Sequence, residues 1–127
     1  MREQLSSLLG KTVTVVIDRP IGSAHPRHPD MIYPVHYGYI PGMLAEDGEE
    51  QDVYLLGVEQ FVEEYQAQVI GILHRRDDIE DKLVAAPVGM HFTKEEIEAA
   101  VWFQERYFDT VVEVIGSVGN GLDRSTV

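Results

Sequence analysis

The sequence predicts a mainly β fold with helix (α+β), a small closed β-barrel that carries one long helix in the C-terminal half of the chain. Three observations lead there. About five short runs rich in β-branched or apolar residues are separated by turn residues rather than by helices. One capped segment with helical spacing follows nearly all of them, so strands and helix are segregated in order, unlike the alternation of a βαβ sheet. The 127 residues, 44% hydrophobic and 9% aromatic, suit one globular domain over residues 1–127. A chain of that size buries roughly two-thirds of its unfolded surface, enough for one core but not for separate substrate and cofactor domains.

Each element has its own signal. Residues 2–9 read as one short helix, stopped by Gly10 in a left-handed conformation. Lys11 to Asp18, KTVTVVID, is rich in β-branched residues and reads as a strand. Pro20 to Pro41 holds five of the six prolines together with Gly22, Gly38 and Gly42, which rules out helix and restricts any strand there to a short or edge one. An acidic loop from Ala45 to Gln51 leads into the apolar run Val53 to Gly57. Tyr65 to Leu73 and Lys82 to Ala86 are two further strands flanking a charged turn at His74–Asp81. Thr93 opens the helical segment TKEEIEAAVWFQERYFD, and Glu96 three residues on completes a capping box. Ile97, Ala100, Val101, Phe103 and Tyr107 follow helical spacing. Thr110 to Ile115 is a last strand, and the tail GNGLDRSTV reads as loose.

Ten Lys+Arg against 22 Asp+Glu leave a formal charge of −12. That excess repels a phosphate backbone, so nucleic acid is not an expected partner, and any phosphate is expected to be handled through metal ions. Cysteine is absent, which removes disulfides, thiolate metal sites and cysteine nucleophiles. No stretch approaches the roughly 20 apolar residues of a membrane span, and the N-terminus lacks an uninterrupted apolar h-region. The expected location is cytoplasmic, with no membrane partner. Neither a phosphate loop nor a Gly-x-Ser-x-Gly elbow occurs.

Four clusters carry the chemistry. Asp47, Glu49 and Asp52 lie within six residues beside Gly48, a source of oxygen ligands for a hard cation such as Mg²⁺; by spacing alone a solvated acidic turn stays open as the alternative. Asp77-Asp78-Ile79-Glu80-Asp81 is either a charged hairpin tip or a second set of ligands. At the ends of neighbouring strands the two clusters can converge on one metal, because like charges packed closely need a cation or a proton between them. Tyr33-Pro34-Val35-His36-Tyr37-Gly38-Tyr39 supplies either a packed aromatic face or phenol donors to phosphate. His25, His28 and His36 lie within twelve residues, as surface residues of a Pro-rich loop or as ligands of Zn²⁺ or Mn²⁺. His74 and His91 read as structural, Trp102 and Phe103 as core or interface residues, and Tyr107 as either a core residue or a phosphate contact.

In order, these segments resemble the family I soluble inorganic pyrophosphatases. Tyr33-Pro34-Val35-His36-Tyr37-Gly38-Tyr39 is similar to that family's Tyr-Pro-x-Asn-Tyr-Gly-Tyr/Phe segment. Asp47-Gly48-Glu49-Glu50-Gln51-Asp52-Val53 resembles its Asp-Gly-Asp-Pro-x-Asp-Val signature, with Glu49 at the middle aspartate. Val69-Ile70-Gly71-Ile72-Leu73, Asp77 and Asp81-Lys82-Leu83-Val84-Ala85 resemble its Val-Gly-x-Leu strand, paired aspartates and Lys-Leu-Val-Ala strand. Asp18-Arg19-Pro20-Ile21-Gly22-Ser23 is similar to its Glu-Ile-Pro-x-Gly-Ser, so the match covers roughly residues 14–115.

The resemblance implies a five-stranded OB-type barrel and Mg²⁺-dependent hydrolysis of pyrophosphate, or of a related phosphoanhydride, by water activated between two metals, with Mn²⁺ as an alternative ion. It assigns Asp47, Glu49, Asp52, Asp77 and Asp81 as metal ligands, with Glu49 also helping to activate the water. Lys82, Tyr37 and Tyr107 match phosphate contacts, Arg27 falls where the family has a lysine, and Asp18 stands at the glutamate of Glu-Ile-Pro. Family members commonly assemble, which implies a homo-oligomer in which the apolar face around Trp102 takes part. The chain also departs from the pattern. Only residues 24–32 stand in place of a hairpin that brings an arginine to the phosphate, Phe108 replaces a lysine and His36 an asparagine. Arg75 and Arg76 are the candidate compensating cations. These losses support the alternative of a non-catalytic module that binds metal and phosphate on the same barrel.

Overall fold

The computed structural model describes residues 5–115 of the chain. Its strands are β1 (Thr12–Arg19), β2 (His36–Leu44), β3 (Glu50–Leu55), β4 (Glu64–Arg75), β5 (Lys82–Ala86) and β6 (Thr110–Val114), with one helix, α1 (Lys94–Glu105), before β6. The strand order β1-β2-β3-β5-β4 closes on itself through an antiparallel β1–β4 ladder, with Val13 opposite Ala67 and Val15 opposite Tyr65. The expected five-stranded barrel is therefore present, and the sixth strand hangs on β4 outside the ring. All neighbours are antiparallel except β3 and β5, which run parallel with Tyr54 opposite Val84.

Strand parity builds two apolar layers. Val53, Leu55, Leu83 and Ala85 point into the barrel with Val15, Val69 and Ile72. Their neighbours Tyr54, Leu56, Val84 and Ala86 point out of the barrel, beneath Ile97 and Val101 of α1. Because both faces of β5 are covered, all five of its residues are buried. Thr93 caps α1 through Oγ1, which accepts the Glu96 N–H, while the Glu96 carboxylate accepts the Thr93 N–H, the capping box read from the sequence.

Two elements differ from their sequence expectation. In place of a helix over residues 2–9, the described part is a single 3₁₀ turn, Ser6–Leu8, followed by Gly10 with φ of 86°. Leu5, Leu8 and Leu9 pack on the barrel core, and that contact decides the local shape more than helix propensity in so short a segment. Residues 2–4 of that expectation, and the tail, lie outside the described residues. The Pro-rich stretch holds a nine-residue strand, β2, paired on both sides. Pro41 fits because the β2–β3 ladder is interrupted between Tyr39 and Leu44, where no N–H is required. Among the described residues no helix is long and apolar enough to cross a membrane.

Gly38 shows how tightly β1 and β2 approach: a Cβ there would lie 1.9 Å from the carbonyl oxygen of Val16. Gly38→Ala should cost at least about 3 kcal/mol by overpacking against backbone that cannot give. The check is a thermal melt followed by circular dichroism, in which a drop of about 10 °C is expected.

Candidate active site

The same parity locates a charged cleft. Asp52 and Lys82 lie one step before the register pair Val53 and Leu83, on the outward face shared by Tyr54 and Val84. They meet there, with the Lys82 Nζ donating to Asp52 Oδ2 at 2.6 Å. Tyr37 of β2 lies opposite Tyr54, and Arg75 lies two residues beyond Leu73 on the helix side of β4. The end of α1 and the segment that follows it, from Gln104 to Phe108, bound the cleft on one side; His25, His28, Asp30 and Met31 of the Pro-rich loop bound it on another. The cavity measures about 620 Å³.

Of the residues singled out in the sequence, Asp18, Tyr37, Asp52, Lys82 and Tyr107 line this cavity. Asp47, in the turn between β2 and β3, stands at its edge and hydrogen-bonds Glu80 of the second acidic turn. The two turns thus meet, through Glu80: Lys82 also bonds Glu80 Oε1. Asp77 is engaged elsewhere, accepting the Asp109 N–H at 3.0 Å. Asp81 is buried facing His74, whose Nδ1 lies 2.9 Å from Oδ2, and it accepts the Arg75 N–H through Oδ1. Glu80 turns to Lys82 and the next residue, Asp81, turns to His74. Glu49 is exposed beside Asp47 and Arg27 is exposed in the loop; neither lines the cavity. Arg76 pairs with Asp109 on the surface.

The electrostatics follow from crowding. A hydrogen bond with Glu80 holds Asp47 below the usual carboxylate range, while burial and then that same bond push Glu80 up. Burial, followed by the charge of Asp52 and a hydrogen bond with it, holds Tyr37 well above the ordinary phenol range, so it remains a neutral donor. Partial desolvation, then the charge of Asp52, raises Asp18 against the opposing pull of Arg19. Oxygen donors drawn together around one ammonium have the chemistry a hard divalent cation takes. Among the described residues, no three acidic or histidine groups stand in a metal-holding arrangement.

Sequence reasoning did not single out Arg19, Glu105, Gln104 or Arg106. Arg75 is 4% exposed and makes a two-point ion pair with Glu105, Nε to Oε1 at 3.0 Å and Nη2 to Oε2 at 2.6 Å, with its guanidinium 3.7 Å from the Phe108 ring centroid. The Tyr54 hydroxyl donates to Glu105 Oε2 at 2.6 Å, and Gln104 Nε2 donates to the same hydroxyl at 2.6 Å. Tyr33 donates to Gln104 Oε1 at 3.0 Å and accepts from Arg19 Nη1 at 2.7 Å. This continuous chain joins two arginines at the cavity through the last turn of α1. A run of polar residues at one end of an amphipathic helix was the available signal.

The fold defines the class first: an OB-type α+β barrel with a charged cleft between its outer wall and a packed helix. A family model described as inorganic pyrophosphatase matches residues 11–112, and the chain belongs to that family. Among curated relatives, the inorganic pyrophosphatase of Aquifex pyrophilus is 35% identical over 80 residues, 60% of this chain and 42% of that protein. The one from Saccharolobus solfataricus is 41% identical over 61 residues, 45% of this chain and 36% of its own length. The matches therefore span less than half of these relatives. Among solved structures, the inorganic pyrophosphatase of Neisseria gonorrhoeae is 25% identical with a TM-score of 0.58, covering 77% of this chain and 74% of that one. The one from Ehrlichia chaffeensis, 19% identical, shares the fold with a TM-score of 0.61 over 84% of this chain and 88% of its own.

Two predictions test the polar framework. Glu105→Ala would leave Arg75 buried without its carboxylate and should destabilise the fold by about 3–5 kcal/mol, read from the urea midpoint. His74 bridges Asp81 and Glu113; burial acts to lower its pKa, but hydrogen bonds with Glu113 and Asp81 outweigh it and raise it. A raised folded value means the stability His74 adds is full below about pH 6.5, its unfolded pKa, and is lost as pH climbs through the folded one. The gap in melting temperature between wild type and His74→Gln should narrow from about pH 6 to about pH 9.

Proposed function

We propose that this chain hydrolyses inorganic pyrophosphate, or a closely related phosphoanhydride, with a divalent cation such as Mg²⁺ or Mn²⁺. The observation that carries the reading is the meeting of the two acidic turns at Lys82, beside a cavity lined by Tyr37, Arg19 and Arg75. When bound, the cation supplies a hydroxide near neutral pH and neutralises charge on the phosphate oxygens. Asp52, Asp47 and Glu80 offer it hard oxygen donors, with Glu80 drawn into the set in preference to Asp77 and Asp81.

The remaining groups orient and stabilise. Lys82, Tyr37, Tyr107 and Arg75 are arranged to hold phosphoryl oxygens, the phenols as neutral donors and the cations against accumulating charge. Asp18, with its raised carboxyl, stands ready to accept a proton from water. Water attacks one phosphorus, the bridging P–O bond breaks, and two phosphates leave. Exposed Glu49 acts beside Asp47, where the β2–β3 turn holds it next to the donor set.

A second reading has its own observation. Lys82 already neutralises Asp52 and Glu80, and Arg75 is matched by Glu105, so a module that binds phosphate without turnover would need no further charge. Phosphate release from pyrophosphate with Mg²⁺ or Mn²⁺ decides between them. Wild type should release phosphate; Asp52→Asn and Glu80→Gln should each lose about a hundredfold or more, while Asp81→Asn loses far less. Tight pyrophosphate binding with no release would select the second reading.

A further inference from the structure

The cleft holds a guanidinium that makes no salt bridge with a described carboxylate. Arg19 lines the cavity beside Asp18, although consecutive strand residues ordinarily face opposite ways. The β1–β2 register shifts between Ile17 and Arg19, a bulge that turns the end of β1 so that both residues reach the cleft.

The Arg19 side chain is held in place rather than left to swing. Its Nη1 donates to the neutral Tyr33 hydroxyl at 2.7 Å, and its guanidinium lies 5.8 Å and 5.5 Å from the ring centroids of Tyr33 and Tyr37. Tyr33 is itself fully buried and anchored to Gln104 of the helix at 3.0 Å. Arg19 makes no salt bridge with any described residue, whereas Lys82 and Arg75 both do. Uncharged partners fix its position, and the carboxylate beside it, Asp18, acts on it through charge without forming a salt bridge. A planar fork so held suits two oxygens of one phosphoryl group.

We propose that Arg19, at the bulged end of β1, grips the phosphoryl group of a phosphoanhydride held in this cleft. The proposal rests on the pyrophosphate reading above. Arg19 binds two oxygens of the transferring phosphoryl group through its Nη2 and Nε edge, while Nη1 stays on Tyr33.

The test uses the full chain with pyrophosphate and Mg²⁺ for turnover, and imidodiphosphate with Mg²⁺ for binding by calorimetry. Arg19→Ala should lower kcat/KM by about 10²–10³ fold, the loss typical of one preorganised donor. Its imidodiphosphate affinity should fall by about ten- to a hundredfold, the factor of one charged hydrogen bond. Arg19→Lys should recover part of both losses, since an ammonium keeps the charge without the fork. Added guanidinium ion should raise the activity of Arg19→Ala and leave wild type unchanged, which a purely structural residue would not give. A wild type that binds imidodiphosphate but releases no phosphate overturns the hydrolase reading, and the binding arm then still tests Arg19. If Arg19→Ala unfolds, Arg19→Lys in its folded form carries the comparison. Folded variants that match wild type in both measurements overturn the proposal.

Discussion

The structure depends on the buried pair between Arg75 and Glu105. A guanidinium 4% exposed keeps its charge and needs a carboxylate of matching geometry to offset its desolvation, and the helix supplies one at the end of α1. Glu105 accepts from Arg75, Tyr54 and Thr110, so one carboxylate ties β4, β3 and the start of β6 to the helix. Bonds from these partners outweigh the rise that burial alone would give Glu105 and hold its pKa down. Gln104, its neighbour, passes the connection to Tyr33 and so to Arg19. The helix therefore does more than cover an apolar wall. It sets the spacing between the two arginines across the cavity, and a small shift of α1 moves both.

A chain carrying −12 concentrates its acids where they must be neutralised locally. Lys82, 3% exposed, sits between Asp52 and Glu80, and a hydrogen bond joins Glu80 to Asp47. Two separate turns converge because β3 and β5 are parallel neighbours, so the ends that carry the acidic loops lie side by side. The opposite face of the same strands uses its charges differently. There Asp81 and Glu113 hold His74 between them, and Ser6 adds a hydroxyl bond to Glu113.

Much of this was legible in residue order. The β-branched run beginning at Lys11, the apolar runs of β4 and β5 and the capping box at Thr93 are local signals, and each produced its element within a residue or two. Tyr37, Asp52 and Lys82 were legible as cleft residues from the motifs that carry them, and the cavity includes all three. Arg19 was not, because a bulge breaks the alternation from which a side chain's direction is read. Adjacent acids look equivalent in a string, so the sequence did not show that Glu80 bonds Lys82 while Asp81 bonds His74.

Local order alone thus determined most of the strands, β2 excepted, where the one long helix begins, and which residue types were available to handle phosphate, since propensity, capping and composition act over a few neighbours. Tertiary structure decided which of those side chains meet. Barrel closure through β1 and β4, the parallel pairing of β3 with β5, and the bulge before Arg19 each depend on contacts between residues far apart in the chain. A single residue of register moves a side chain to the opposite face of a sheet, so the membership of the cleft follows from that long-range pairing.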